Sequence, residues 1–147
     1  MKKLLGFGLV MGLAMMLISC AGTDMKKVEA EARTSMKNMV ASMNEIAGKL
    51  SAVEAPEDAI TLIKKSGDLF QSFNKELTGI SDKYKLNVAQ DDELQASLSD
   101  VYEDLGAASE TLKAAFDAAA EKFADNTDVQ EQLKTTMEDI VEASQMD

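Results

Sequence analysis

The chain has 147 residues, the length of a single domain, and only 5% of them are aromatic, whereas helix-forming Ala, Leu and Met supply most of the apolar side chains. Its formal net charge of −11 repels phosphate backbones, which excludes nucleic acid as an expected partner. It has no histidine and one cysteine, so the commonest general base and the usual ligands of zinc and haem are missing, and we expect neither an enzyme nor a cofactor.

Residues 1–19 have the pattern of a secretory signal peptide. Lys2 and Lys3 give the start a positive charge, and no charged residue follows from Leu4 to Ile18. This uncharged stretch is shorter than the roughly 20 apolar residues that a membrane-spanning helix needs, but it suits the core of a signal peptide. The sequence therefore predicts export of the chain and removal of residues 1–19.

The end of this stretch, Leu17-Ile18-Ser19-Cys20, resembles the lipobox of bacterial lipoproteins, in which an aliphatic residue, a tolerant position and a small residue precede an obligatory cysteine. The resemblance implies that the Cys20 thiol receives a diacylglycerol and that a signal peptidase cuts between Ser19 and Cys20. In many bacteria the new amine of such lipoproteins is acylated too, and palmitate is the acyl chain that we expect. Because the resemblance ends at Cys20, it implies a location and no activity.

The implied lipids would hold the protein at a membrane, because two or more acyl chains anchor stably where one binds only marginally. In such lipoproteins an Asp after the cysteine retains the protein at the inner membrane. Position 21 is Ala, so we expect the outer membrane in a cell that has two. We expect residues 20–24 to form a tether and residues 25–147 to form the folded domain. The four residues after Cys20 reach at most about 14 Å when fully extended.

The first segment of the domain has apolar residues three and four positions apart, as a helix buried along one stripe requires. These positions are Met25, Val28, Ala32, Met36, Met39, Met43, Ile46, Leu50 and Val53. Lys26 and Lys27 lie in its first turn, where positive charge opposes the helix dipole. They either face anionic lipid or belong to a solvated face on which they pair with Glu29 and Glu31.

Three more segments repeat this spacing. The second follows Pro56, a residue typical of the first helical position. The third follows Asp91, which we expect to cap its first amides, and the fourth begins at Asn126 or Thr127. Their stripes are, in order, Ile60, Ile63, Gly67, Phe70, Phe73, Leu77, Ile80 and Tyr84; Leu94, Leu98, Val101, Leu105, Ala108, Leu112, Ala115, Ala119 and Phe123; and Val129, Leu133, Met137 and Ile140.

These patterns predict an all-α fold, an antiparallel up-down bundle of four helices joined by short connections. The alternative is a core of three helices on which the last segment packs loosely. No run in the sequence has the alternating apolar pattern and β-branched density of a strand.

The methionines of the first segment are candidate metal ligands. Met36, Met39 and Met43 share one helical face, and clustered thioethers suit Cu(I) in exported proteins. The same residues fall on the apolar stripe, where methionine fills gaps in a core, so core packing is the other interpretation. Acidic residues such as Asp100 and Glu103 fall between the apolar positions, and we expect them to form a solvated face.

The sequence as a whole indicates an acidic, non-catalytic helical bundle that is anchored to the membrane by lipid. We expect it to serve the structure of the cell envelope or to contact another protein, and its apolar stripes also allow self-association. The alternative is a binding module for an apolar ligand or a soft metal such as Cu(I). A binding module requires a cavity or inward polar groups, whereas an adapter requires a solid core and an exposed apolar patch.

Overall fold

A computed structural model describes residues 24–144 of the chain, with side chains as far as residue 142, and all regular structure in this part is α-helical. The helices are α1 (Met25–Ala52), α2 (Pro56–Tyr84), α3 (Val88–Ser97), α4 (Ser99–Lys122) and α5 (Thr127–Ser144). The predicted all-α class is confirmed. None of these five helices is both long and apolar enough to cross a bilayer. The predicted signal peptide, Ser19 and Cys20 lie outside the described residues.

α1 and α2 form as their sequence patterns predict. The buried apolar residues of α1 are Val28, Ala32, Met36, Met39, Met43, Ile46, Ala47 and Leu50, and they belong to one continuous core with residues of the other helices. Pro56 occupies the first position of α2, with Glu57 and Asp58 in the same turn, where acids favour the positive end of the helix dipole.

α3 begins earlier than predicted. The Asn87 side chain accepts a hydrogen bond from the Gln90 amide at 2.9 Å, and the Gln90 side chain accepts one from the Asn87 amide at 3.1 Å, which together form a capping box. The prediction that Asp91 caps this helix is wrong, because Asn87 already accepts from one of the first amides. Asp91 lies inside α3 and is buried.

The predicted third segment is broken into α3 and α4 at Leu98. Leu98 has φ −100° and ψ 7°, about 50° from the usual helical ψ, and this rotation ends α3 and starts α4 without a loop. Its amide still donates to the Leu94 carbonyl at 3.1 Å, and its carbonyl accepts from Val101 and Tyr102. The described residues therefore form five helices, whereas the sequence predicted four.

α1 has the most extensive packing: it packs mainly against α4 and then against α2, while α2 also packs against α5. α1 and α4 run in the same direction. Arg33 near the start of α1 donates to Asp100 at the start of α4 at 2.7 Å, and Lys122 at the end of α4 donates to the Val53 carbonyl after α1 at 2.6 Å. These contacts are consistent with a helical bundle, and the antiparallel order of four helices stays a prediction.

α5 contributes to the common core through Val129, Leu133 and Ile140. Gly67 of α2 lies so close to α5 that a β-carbon there would be 3.4 Å from the Thr136 methyl group. This packing against α2 fixes where α5 lies, and it leaves the side of α5 that faces α4 less well covered.

Candidate binding groove

α4 and α5 leave an open groove between them. They contact each other little, and the hydrogen bonds that join them lie beside their connection. There the Gln130 side chain donates to the Ala120 carbonyl at 3.0 Å and to the Phe123 carbonyl at 3.1 Å. Because α4 packs mainly on α1 and α5 packs mainly on α2, the facing sides of α4 and α5 border a groove of about 590 Å³.

The floor of the groove is apolar. Phe116 from α4 and Leu133 from α5 form its buried part, Met137 is partly buried, and Val141 is 42% exposed. The full lining consists of Phe116, Asp117, Ala120, Gln130, Leu133, Lys134, Met137, Glu138, Val141 and Glu142. A concave apolar surface with an exposed apolar edge and a polar rim is typical of an interaction site.

The rim of the groove is acidic. Its charged residues are the acids Asp117, Glu138 and Glu142 and the base Lys134. Lys134 lies 3.9 Å from Glu138, and Asp117 accepts a hydrogen bond from Lys113 at 2.7 Å. The lining residues therefore present more negative than positive charge to a molecule that enters the groove.

The α4 side of the groove lies at the end of the bundle opposite to Asp24. The contact between Lys122 and the Val53 carbonyl brings the end of α4 beside the end of α1. α1 has 28 residues and is therefore about 42 Å long, and Phe116 lies less than two turns before Lys122. Phe116 is thus roughly 30 Å from the start of α1.

No protein-family model matches this chain, and no curated protein or solved structure is significantly similar to it. The function of the groove is therefore inferred from its own chemistry. The floor offers apolar contacts, while the rim offers carboxylates, the Lys134 ammonium group and the Gln130 amide, whose nitrogen already donates to backbone carbonyls. Such a lining suits an apolar surface with a charged border.

Sequence reasoning did not find this groove. It assigned Leu133 and Met137 to a buried stripe and left Phe116 out of the stripe of α4. Apolar spacing indicates which face of a helix is buried but not which neighbouring helix that face meets, so the spacing itself does not show that α4 and α5 pack poorly together. The one available signal was Phe116 directly after Ala115, because it widens the apolar face beyond a single stripe.

The candidate copper ligands are buried in the core. Met36, Met39 and Met43 are each no more than 2% exposed and belong to the common apolar cluster. The Met43 sulfur accepts a hydrogen bond from the Ser109 hydroxyl at 3.9 Å. Core packing accounts for these residues, and copper binding stays a prediction. Among residues 24–142, no three or more His, Cys, Asp or Glu side chains are arranged to hold a metal ion.

A second cavity, of about 20 Å³, lies beside Asp91. The Oδ2 atom of Asp91 accepts a hydrogen bond from Gln95 at 2.9 Å, and its Oδ1 atom has no partner among the described residues. Burial raises the pKa of Asp91; burial also raises the pKa of Tyr102, with a smaller contribution from the Asp91 charge. This cavity has room for about one water molecule, which is too little for a substrate.

Asp100 and Glu103 are exposed to solvent, as predicted. The hydrogen bond from Arg33 to Asp100 lowers the pKa of Asp100 and raises that of Arg33. Exposed ion pairs of this kind are common on protein surfaces and contribute little to stability. They do not by themselves indicate catalysis.

Proposed function

We propose that this chain is a lipid-anchored protein of the bacterial cell envelope whose helical domain has no catalytic role. In this proposal the domain holds a helix of a partner protein in the groove between α4 and α5. The groove is the observation that carries the proposal, because its apolar floor and acidic rim suit an amphipathic protein surface. The pattern from Leu17 to Cys20 supports the lipid anchor.

The proposed anchor is a lipidated Cys20, exposed as the first residue by cleavage after Ser19. Ala21 at the next position favours the outer membrane in a cell that has two. α1 begins at Met25, so the four intervening residues allow at most about 14 Å between Cys20 and the bundle. The bundle is then held close to the bilayer.

The helical domain is proposed to be an up-down bundle of α1, α2, α4 and α5, with α3 as an accessory helix between α2 and α4. The connections are short, at residues 53–55, 85–87 and 123–126, and short connections between long helices usually produce antiparallel neighbours. The contact of Lys83 near the end of α2 with Glu31 near the start of α1, at 2.7 Å, supports opposite directions for these two helices.

The proposed occupant of the groove is an amphipathic helix with basic residues beside its apolar stripe. The lining residues of α5 extend from Gln130 to Glu142, which is about 18 Å along the helix and matches a partner helix of roughly 12 residues. Since Asp117, Glu138 and Glu142 outnumber Lys134, flanking lysine or arginine residues would complement the rim. Amphipathic helices commonly bind in hydrophobic grooves of this kind.

A small apolar ligand is the second candidate. The groove volume of about 590 Å³ favours it, because ligand pockets typically measure about 300 to 1,000 Å³. Such pockets enclose most of their ligand, however, whereas this groove is open to solvent between two helices. An acidic rim also contributes nothing to the binding of an uncharged apolar ligand, so we rank the partner helix first.

Two matched peptides test the proposal. Both are helices of about 14 residues with the same leucine stripe, and they differ only in carrying lysines or glutamates beside that stripe. We expect the lysine peptide to bind the detergent-solubilised full-length protein about tenfold more tightly, and we expect added salt to reduce the difference. Fluorescence anisotropy of the labelled peptides measures both dissociation constants.

Two double variants are the controls for charge. Glu138→Lys with Glu142→Lys reverses the rim charge and should reverse the peptide preference. Glu103→Lys with Asp104→Lys makes the same change outside the groove and should leave the preference intact. Equal binding of the two peptides, or binding of neither at about 1 mM, contradicts the proposal. Saturable binding of a small apolar dye without peptide binding would instead favour the second candidate.

A further inference from the structure

Four exposed lysines lie at the end of the bundle where α1 begins. Lys26 and Lys27 are in the first turn of α1, Lys83 is in the last turn of α2, and Lys85 follows α2 directly. The contact of Lys83 with Glu31 at 2.7 Å brings the end of α2 beside the first turns of α1. We call the surface of these four lysines the basic end.

The opposite end of the bundle is acidic. It carries Glu54, Glu57, Asp58, Glu121, Asp125 and Asp128 against Lys49 and Lys122. The end where α1 begins also carries Asp24, Glu29, Glu31 and Asp82, so its lysines are matched by acids, whereas the opposite end has an excess of acids. Charge that is separated along the long axis orients a molecule in the field of a charged surface.

Sequence reasoning offered two interpretations of the first lysines, a solvated face paired with Glu29 and Glu31 or contact with anionic lipid. The pairing is not found among the described residues. Glu29 lies 3.3 Å from Arg33 instead, and Glu31 lies 2.7 Å from Lys83. These two acids therefore pair with other residues. Lys27 lies 3.9 Å from Asp24, so Lys26 is the lysine of the first turn that has no ion pair among residues 24–142.

Val88 is an exposed apolar residue beside Lys85. It is 53% exposed and occupies the first position of α3, directly after the Asn87 cap. Leu86, two residues earlier, is buried, so the turn between α2 and α3 is held in place by one apolar side chain while it presents the next one to solvent. Apolar and basic side chains together are typical of surfaces that lie in a bilayer interface.

Lys85 has a left-handed backbone conformation, with φ 47° and ψ 54°. Among the described residues it is the only residue other than glycine with a positive φ. Glycine is the usual residue at such a helix end, because a β-carbon is strained there. The backbone conformation thus disfavours lysine at position 85, whereas contact with an anionic surface favours it.

We propose that the basic end and Val88 rest on an anionic bilayer when the chain is anchored through Cys20, an inference that rests on the proposed lipidation. The lysines lie near the lipid phosphates, and Val88 enters the boundary between headgroups and acyl chains. The acidic end points away from the membrane. The Phe116 side of the groove then faces partners at roughly 30 Å from the bilayer.

The tether makes a weak contact of this kind effective. At most about 14 Å of chain separates Cys20 from Asp24, which is comparable with the roughly 10 Å range of a surface field at 0.1 M salt. The lipid keeps the basic end within this range, so no further binding energy is needed to bring it to the surface.

Lys26 and Lys85 supply most of the attraction. Neither has a carboxylate within ion-pair distance among residues 24–142, whereas Lys83 is paired with an acid of α1. The exposed acids Asp92 and Glu93 of α3 oppose the attraction. The lipid anchor therefore supplies the affinity for the membrane, and the basic end determines which side of the bundle faces it.

An environment-sensitive dye at position 88 tests the contact. Val88→Cys supplies a free thiol in the full-length lipidated protein, whose Cys20 is acylated, and an NBD label on this thiol reports entry into a bilayer. We expect a blue shift and stronger emission in phosphatidylcholine vesicles that contain about 30% phosphatidylglycerol, relative to phosphatidylcholine alone. Asp125→Cys, labelled in the same way at the acidic end, is the matched control and should show no shift.

Two charge variants show whether the lysines cause this contact. Lys26→Gln and Lys85→Gly should each weaken it about fivefold, measured as the ratio of contacting to free label. Glycine suits the backbone at position 85, so loss of contact in Lys85→Gly would not result from misfolding. An equal response of the labels at 88 and 125 would overturn the proposal.

Vesicle flotation separates this proposal from the proposed lipidation. Protein that floats with anionic vesicles but shows no blue shift at position 88 overturns the contact and leaves the anchor intact. Protein that does not float overturns the lipidation, and the contact fails with it.

Discussion

Asp91 is the only acidic residue that is buried within residues 24–142. Its burial raises its pKa, and this effect outweighs the hydrogen bond from Gln95, which lowers it. A carboxyl group with a higher pKa in the folded chain than in the unfolded chain binds its proton more tightly when folded. Ionised Asp91 therefore lowers the free energy of unfolding at neutral pH. This destabilisation disappears as the pH falls through the raised pKa and the carboxyl group becomes protonated.

We predict that Asp91→Asn increases the free energy of unfolding at pH 7, because the amide keeps an acceptor for Gln95 and has no charge to desolvate. The gain should shrink as the pH falls through the raised pKa and should vanish below the unfolded value of about 3.9. Urea unfolding of both proteins at pH 7 and at about pH 3.5 measures this. A less stable variant at pH 7 would mean that the ionised carboxylate is favourable where it lies.

We also predict that Lys85→Gly increases the free energy of unfolding by about 1 kcal/mol, because it relieves the left-handed strain of a residue with a β-carbon. Lys83→Gly, two residues earlier inside α2, is the control and should decrease it by up to about 1 kcal/mol. Thermal unfolding of the two variants compares them directly. Destabilisation by both would show that position 85 is not strained.

At the scale of the elements, the sequence predicted α1 and α2 well because their apolar stripes are long and Pro56 marks the start of α2. The start of α3 also had a signal, since Asn87 and Gln90 have the spacing of a capping box. The break at Leu98 had none. No proline or glycine lies near it, and the buried side chains of Leu94, Leu98 and Val101 indicate that packing, not local propensity, determines it.

The packing of α5 can be tested with two neighbouring residues. Ile140 is buried in the core and Val141 lies at the edge of the groove. We predict that Ile140→Ala reduces the free energy of unfolding by about 2 to 5 kcal/mol, whereas Val141→Ala changes it by no more than about 0.5 kcal/mol. Urea unfolding measures both. A cost below about 1 kcal/mol for Ile140→Ala would favour the predicted alternative, a last helix that is only loosely attached.

At the scale of the whole molecule, the acidic groove favours a partner of opposite charge over a second copy. Two copies that met through this groove would bring Asp117, Glu138 and Glu142 of each chain together, and like charges repel across an interface. We therefore predict that the detergent-solubilised protein sediments as a monomer at physiological salt. A dimer whose stability changes with Glu138→Lys would show that self-association, the other expectation from the apolar stripes, uses the groove.

The two parts of the proposed function differ in how far the sequence alone could predict them. Lipidation is a covalent step that enzymes read from a short linear pattern, so Leu17 to Cys20 suffice to predict it. The groove depends on how α4 and α5 pack against α1 and α2, and helix spacing does not determine those neighbours. The basic end could be predicted only in part. The sequence shows Lys26 and Lys27 at the start of a helix, but it does not show that Lys83 and Lys85 lie beside them.

Mass spectrometry of the amino terminus of the native protein tests the lipid anchor most directly. We predict a chain that begins at Cys20 and carries a diacylglyceryl group on its sulfur, with an acyl group on its amine in cells that complete this modification. Cys20→Ser is the control and should remain uncleaved and without lipid. A native chain that keeps residues 1–19, or that begins at Cys20 with a free thiol, would contradict the proposed anchor and the membrane contact that depends on it.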